Sequence, residues 1–289
     1  MIVTRFAPSP TGLLHLGHAF AALTAFEAAQ AAGGKFLVRL EDIDRARCRR
    51  AYEEEILKDL AWLGLDWERP VRRHSEHFAF YEKSLERLRE AELLYPCFCT
   101  RKEIADEIER ASGAPHLDLP GAQGPLYPGT CRSLSAVQRE ARLSAGTPFA
   151  LRIDIEKACA LTGSLTFLEK GRGPKGENGR QDVRPELLGD VVLARKEMPT
   201  SYQLAVVVDD AVQGVSLVTR GEDLFHATHI QRLLQRLLGL PAPHYAHHRL
   251  IMGPDGKKFS KRDASVTLRA LREKKMRLDD IKMQIGWRD

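Results

Sequence analysis

Residues 2–6, Ile-Val-Thr-Arg-Phe, alternate as a strand does and run directly into Pro8, Pro10 and Gly12. The prolines end the strand and the glycine permits a turn. Residues 16–32 are Ala-rich with apolar positions at helical spacing, and Gly33-Gly34 stops them. Residues 35–40 return to strand pattern. A strand, a loop that feeds a helix N-terminus and a second strand form the unit that joins parallel strands. Residues 51–63, with Ile56, Leu57, Leu60 and Leu63 on one face, and residues 76–94 continue as amphipathic helices. The chain is expected to be α/β, built on a Rossmann-like parallel sheet.

Residues 95–132 change character. They hold Cys97-Phe98-Cys99, a short acidic helix and a Pro/Gly-rich stretch, and read as an insertion between the halves of the fold. Strand pattern resumes at 149–155, 191–194 and 215–219, and helices are expected at 202–212 and 224–238. Residues 171–184 are Gly-rich and charged, the composition of a mobile surface loop. Two short helices, 265–273 and 278–285, close the chain. The expected division is 1–94 for the first half of the sheet domain, 95–188 for the insertion, 189–245 for the second half, and 246–289 for a basic loop with the terminal helices.

A length of 289 residues allows a sizeable core. No apolar run is long enough to span a bilayer and the N-terminus has no signal-peptide h-region, so a cytoplasmic protein is expected. Five cysteines (Cys48, Cys97, Cys99, Cys131, Cys159) are an odd number, and in a reducing compartment they read as a metal site before a disulfide framework. The net charge of +5 is compatible with a polyanionic partner and does not demand one.

Two segments are built for phosphate. In the first, His15-Leu16-Gly17-His18 stands where the Pro/Gly loop becomes a helix. Helix N-termini attract phosphate, Gly17 lets backbone approach closely, and His15 and His18 lie one turn apart as donors. In the second, the turn Gly253-Pro254-Asp255-Gly256 precedes Lys257-Lys258-Phe259-Ser260-Lys261-Arg262, whose charges suit a departing pyrophosphate on a loop that closes. Alone, the first is as well explained by two surface histidines and the second by a solvated basic loop. Together they fit cleavage of ATP between its α- and β-phosphates.

These segments resemble the two signature motifs of class I aminoacyl-tRNA synthetases. Arg5-Phe6-Ala7-Pro8-Ser9-Pro10-Thr11-Gly12, Arg39-Leu40-Glu41-Asp42-Ile43-Asp44 and Trp62-Leu63-Gly64-Leu65-Asp66-Trp67 resemble the glutamyl/glutaminyl subgroup in particular. The similarity runs from residue 2 to about 265. It implies a class I synthetase fold, with His15, His18, Lys258 and Lys261 catalytic and His15, Gly17, His18 and Lys261 at ATP with Mg²⁺. Glutamate offers one ammonium and two carboxylates, and the reacting α-carboxylate must stay free. A site therefore needs arginines for the side-chain carboxylate and an acid for the ammonium. Arg5 and Arg220 are the candidate clamps, Glu41 the ammonium partner, and Ser9 and Tyr202 further hydrogen-bonding groups. By the resemblance, Phe6, Ala7 and Pro8 complete the glutamate site. Asp42 and Asp44 either orient the clamps or cap the next helix.

Cys97, Cys99 and Cys131 are three soft ligands of the kind zinc takes. The residues alone leave the fourth open among His116, Asp118 and Tyr127. The resemblance implies Tyr127, from a Cys, Cys, Tyr, Cys site for one structural Zn²⁺ in a short glutamyl synthetase relative. Full glutamyl synthetases continue into helical anticodon-binding domains, whereas only two short helices follow the lysine motif here. This shorter form resembles the glutamyl-queuosine tRNA(Asp) synthetases, which consist of the catalytic core. The resemblance implies tRNA-independent glutamate activation and queuosine-bearing tRNA(Asp) as acceptor; no membrane partner and a monomer are expected. The rival readings are a truncated glutamyl-tRNA synthetase core that charges the 3′ end, and a catalytically silent RNA-binding paralogue.

Overall fold

The computed structural model describes residues 1–110, 126–196, 198–253 and 267–287, with side chains 107–110 left aside. Its strands are Val3–Phe6 (β1), Lys35–Leu40 (β2), Glu68–Arg73 (β3), Leu94–Cys97 (β4), Ala150–Ile153 (β5), Thr166–Glu169 (β6), Gly179–Asp182 (β7), Val192–Arg195 (β8), Leu217–Gly221 (β9) and His244–His248 (β10). Its helices are Leu16–Gln30 (α1), Arg50–Trp62 (α2), Phe78–Glu90 (α3), Arg101–Arg110 (α4), Ala136–Ser144 (α5), Ile155–Thr162 (α6), Tyr202–Val212 (α7), Ala227–Leu237 (α8), Leu268–Glu273 (α9) and Leu278–Gln284 (α10).

Strands β1, β2 and β3 form a parallel sheet with α1 and α2 as crossovers. A second sheet runs β7-β6-β10-β9, with β6, β10 and β9 parallel and β7 antiparallel to β6. Side chains and backbone stitch the two together where β1 meets β9. Val3 N donates to Ser216 Oγ (2.9 Å), Ser216 N donates to Val3 O (3.0 Å), and Arg5 Nη1 donates to Thr219 O (3.1 Å). The third sheet, β4-β5-β8, is antiparallel. No helix among the described residues is long and apolar enough to cross a membrane.

Four buried clusters hold these layers. Leu16, Ala19 and Leu23 of α1 pack with Ile56 and Leu60 of α2, and the same cluster takes in Ile251, Leu268 and Ile281, so the C-terminal helices dock on the first sheet unit. Helices α3, α7 and α8 share a second cluster around Tyr81, Leu204 and Ile230. Val3, Phe167, Val218 and Tyr245 fill the third between the parallel strands. Tyr95, Cys97, Phe98 and Cys131 form a small separate one.

Two local expectations need correction, and two strands have no counterpart among the expected elements. The helix expected over 76–94 ends at Glu90, because Glu92 turns the chain at φ 54° and residue 94 opens β4. The expected loop 171–184 contains β7, whose polar Gly-Arg-Gln-Asp sequence is paid for nowhere in the core: it is a half-exposed strand ordered by backbone pairing to β6. Strands β3 and β10, Glu-Arg-Pro-Val-Arg-Arg and His-Tyr-Ala-His-His, lack an apolar pattern and owe their form to parallel neighbours.

Candidate active site

Parallel strands deliver their C-terminal ends to one edge of a sheet, where ligands of such folds bind. Here β1 brings Arg5 and Phe6, the residue after β2 is Glu41, β9 brings Arg220, and β10 brings His247. Phe6 and Pro8 are buried, Ala7 and Ser9 half-buried, and Pro8 O accepts from Glu41 N (3.0 Å), which ties the loop after β1 to the end of β2.

Arg5 is 4% exposed, too buried to stand without a counter-charge. Its Nε donates to Asp210 Oδ1 (3.1 Å), and the same oxygen accepts from Arg39 Nη1 (2.7 Å). Burial alone would raise the Asp210 carboxyl, but Arg5 and Arg39 outweigh it and hold the group below the ordinary carboxylate range. Glu41 lies 3.4 Å from Arg39 Nη2 with its side chain 9% exposed. Burial pushes its carboxyl up, against the pull of Arg39 and Arg5. The half-buried Tyr202 phenol, raised by burial, lies in the fields of Arg220, Glu41, Arg5 and Asp210. Arg5, Glu41, Tyr202 and Arg220 thus converge.

Arg220 is held differently. Strand register sets it beside His247, whose Nε2 accepts from Arg220 Nε (3.1 Å). Thr228 Oγ1 and Gln231 Oε1 of α8 each accept from the other guanidinium nitrogens at 2.7 Å. All three acceptors are neutral. The nearest carboxylate in the chain of contacts, Glu169 at the end of β6, sits behind His247, 2.6 Å from its Nδ1. An Nδ1–H pointing at Glu169 leaves Nε2 as an acceptor, and burial, which pushes the His247 pKa down to about 4, keeps the ring neutral. A guanidinium has five N–H donors, and three are used among the described residues, which leaves a pair without an acceptor there.

His15 and His18 form the N-terminal box of α1. His15 Nδ1 accepts from Gly17 N (3.1 Å), and His18 Nδ1 accepts from His15 N (3.2 Å), with ring centroids 3.8 Å apart. A Cβ at position 17 would stand 3.1 Å from His15 Cε1, so glycine lets that ring fold back over the helix start. Phe6 meets His18 edge-on at 6.5 Å, which joins this box to the arginine site. Lys257, Lys258, Ser260, Lys261 and Arg262 lie outside the described residues. Downstream of them, Thr267 bridges His15 and Leu268 N donates to Leu14 O (2.8 Å).

The Cys97, Cys99 and Cys131 sulfurs all lie within 4.8 Å of one another. Tetrahedral zinc thiolates need separations of about 3.8 Å, so small adjustments would close them on a metal. Tyr127 OH accepts from Cys131 N (2.8 Å) and lies 3.5 Å from Cys99 Sγ. The cluster has the donor set and spacing of a metal site. Burial pushes the Cys99 thiol up to about 12. Burial also opposes ionisation of Cys131, but hydrogen bonds from Tyr127 and Phe98 N–H bring it below its usual value. His116 and Asp118 lie outside the described residues, and none of the five cysteines forms a disulfide.

The sequence profile of tRNA synthetases class I (E and Q), catalytic domain, matches residues 1–283. The chain belongs to this family. It is therefore a ligase of the aminoacyl-tRNA synthetase kind, with the class I α/β fold. It is 49% identical to the "Glutamyl-Q tRNA(Asp) synthetase" of Rhodobacter capsulatus over 99% of this chain and 100% of that one. It is 38% identical to the "Glutamate--tRNA ligase" of Aquifex aeolicus over 94% of this chain and 54% of that one. The crystal structure of glutamate-tRNA synthetase from Elizabethkingia anophelis superposes with a TM-score of 0.74 at 29% identity, covering 91% of this chain and 53% of that chain. The chain spans about half the length of that solved synthetase.

Several residues of this candidate site escaped the sequence reading: Asp210, Arg39, Glu169, His247, Thr228 and Gln231. Asp209-Asp210 did leave a signal, two acids inside an apolar helical stretch. Asp42 and Asp44 were read as orienting the clamps or capping the next helix. Asp42 instead accepts from Ser75 N (2.8 Å) and Ser75 Oγ (2.5 Å), and Asp44 from Arg47 Nε (2.6 Å), while the N-cap of α2 is Arg49.

Proposed function

We propose that the protein joins L-glutamate to ATP without tRNA, and then passes the glutamyl group to queuosine in the anticodon loop of tRNA(Asp). The observation that carries this reading is Arg220, a buried cation whose direct acceptors are all neutral and which keeps a pair of donors for an incoming carboxylate. In this reading Arg220 and Arg5 bind the side-chain carboxylate, Glu41 takes the ammonium, Ser9 and Tyr202 add hydrogen bonds, and Phe6-Ala7-Pro8 form the wall. An arriving ammonium would favour ionised Glu41 and offset the burial that raises its carboxyl.

The α-carboxylate attacks the α-phosphorus and the bond to the β-phosphate breaks. His15 and His18 donate to the phosphoryl oxygens as charge grows there, beside the backbone at Gly17. Lys258 and Lys261 hold the departing pyrophosphate, with Mg²⁺ as counter-ion on ATP. A hydroxyl of the queuosine cyclopentene diol then attacks the glutamyl carbonyl and releases AMP. The name of the relative in Rhodobacter capsulatus, "Glutamyl-Q tRNA(Asp) synthetase", matched over its full length, supports this acceptor. One Zn²⁺ held by Cys97, Cys99, Cys131 and Tyr127 would tie the two cysteine segments together, outside the chemistry. Five cysteines outside disulfides fit the reducing cytoplasm.

The deciding experiment removes the 3′-terminal adenosine from queuosine-containing tRNA(Asp). Labelling with glutamate should survive that removal and vanish on tRNA(Asp) lacking queuosine. Charging of unmodified tRNA(Glu) at its 3′ end would replace this reading with that of a glutamyl-tRNA synthetase core.

A further inference from the structure

A cavity of about 420 Å³ is lined by Pro10, Asp42, Arg45, Cys48, Arg49, Arg50, Glu53, Arg73 and Glu76. Two of its lining residues directly follow candidate site residues in the chain. Pro10 follows Ser9 and its carbonyl accepts from Arg49 N (3.0 Å), while Asp42 follows Glu41.

The charges in this cleft are unevenly matched. Arg73 is paired with Glu53 and, at 3.6 Å, with Glu76. Asp42 is taken by Ser75. Arg50 reaches Glu54 at 3.4 Å, outside the cleft. Among the described residues Arg45 and Arg49 donate only to backbone carbonyls, Arg45 to Ser75 O (3.2 Å) and Arg49 to Ala46 O (2.8 Å) and Cys48 O (3.3 Å). Carbonyls orient a guanidinium without neutralising it. Arg45 is steadied further by Phe78, whose ring lies 5.4 Å from its Cζ. The N-cap of α2, Arg49, makes no side-chain cap hydrogen bond, so the positive end of the helix dipole adds to the same cleft.

We propose that this cleft binds the phosphodiester backbone of the RNA acceptor next to the nucleotide that receives glutamate. The identity of that acceptor rests on the reading given above; the cleft itself asks only for RNA. A nucleotide that enters the pocket draws its flanking phosphates to the rim, and oriented, uncompensated guanidiniums are what hold a backbone without reading its sequence. Neither His15 nor His18, at the start of α1, is among the described residues that line it.

The test uses the full chain and two probes, tRNA(Asp) carrying queuosine and its unmodified transcript. Direct binding is measured against salt for the native protein, Arg45→Ala/Arg49→Ala, and Arg45→Lys/Arg49→Lys. The alanine pair should weaken both RNAs at least about tenfold at low salt and reduce the slope of log affinity against log salt by about 1.4, two single-strand phosphate contacts. The lysine pair should restore most of both. Glutamate-dependent pyrophosphate exchange, which needs no RNA, should stay within about twofold and reports an intact fold. An unchanged slope with normal exchange overturns the proposal. So does a loss confined to ATP or inorganic phosphate, which would assign the cleft to a free phosphate. If the native protein binds RNA with this slope yet transfers nothing to queuosine, the acceptor reading fails and the cleft stands.

Discussion

At position 220 a buried guanidinium is held by neutral acceptors among the described residues. His247 is one of them, accepting from Arg220 at Nε2 while Glu169 fixes the other ring nitrogen. Loss of a hydrogen bond to a charged group costs roughly 1.5–3 kcal/mol. His247→Leu should therefore raise the KM for glutamate about 10- to 100-fold with little change in kcat at saturation, and His247→Gln should recover part of the loss. Steady-state pyrophosphate exchange measures both, and a collapse of kcat at unchanged KM would remove His247 from a positioning role. Asp210 works in the opposite sense, because it neutralises Arg5 and Arg39 together. Asp210→Ala would leave two buried cations without their shared partner and should cost roughly 3–5 kcal/mol in urea unfolding.

At the scale of elements, α9 is positioned by charge as well as by its apolar face. Arg272 Nε meets Asp59 Oδ1 at 3.0 Å and its Nη2 meets Glu55 Oε2 at 2.7 Å, which locks α9 on α2 next to the bridge between His15 and Thr267. Burial raises the Asp59 carboxyl to about 6 even with Arg272 present. Arg272→Met should cost roughly 2 kcal/mol and lower pyrophosphate exchange by more than the unfolded fraction explains, since the flank of the lysine motif loosens. Full exchange in this variant would show that α9 is mere packing. The insertion makes its own prediction. Cys97→Ser should abolish stoichiometric zinc on elemental analysis and increase hydrogen exchange around β4 while the parallel sheets keep their protection. Full zinc occupancy in Tyr127→Phe would exclude the phenol as fourth ligand.

For the whole molecule, the buried histidines weigh most in the response to acid, against the raised Asp59 and Glu41 carboxyls, which favour the folded state as the pH falls. Burial pushes His247 and His229 down to about 4 in the folded protein. The unfolded chain titrates them near 6.5, so between those values it binds protons that the folded chain refuses, and acid favours unfolding. Each contributes up to about 3 kcal/mol, present above pH 6.5 and lost as the pH falls toward 4. Glu169 and Asp210, held low by their partners, lose their contributions further down, as pH passes through their depressed folded values. Urea midpoints should fall steadily from about pH 7 to about pH 4.5, and His247→Leu should flatten that fall. A flat wild-type profile across this range would contradict the buried-neutral assignment.

The opening strand, loop, helix and strand were legible because prolines, glycines and helical spacing are local signals, and local sterics enforce them in β1, α1 and β2. The same holds for Cys97, Cys99 and Cys131, whose residue type announces them. Strands β3, β7 and β10 were not legible, since their polar sequences become strands only when a neighbour supplies backbone partners. Nor could the sequence link Glu169 to His247, 78 residues apart, or Arg5 to Asp210, 205 apart. A lone buried charge is too costly to persist, so its partner must exist, but which residue fills that place is decided by which strand ends the sheet order brings together.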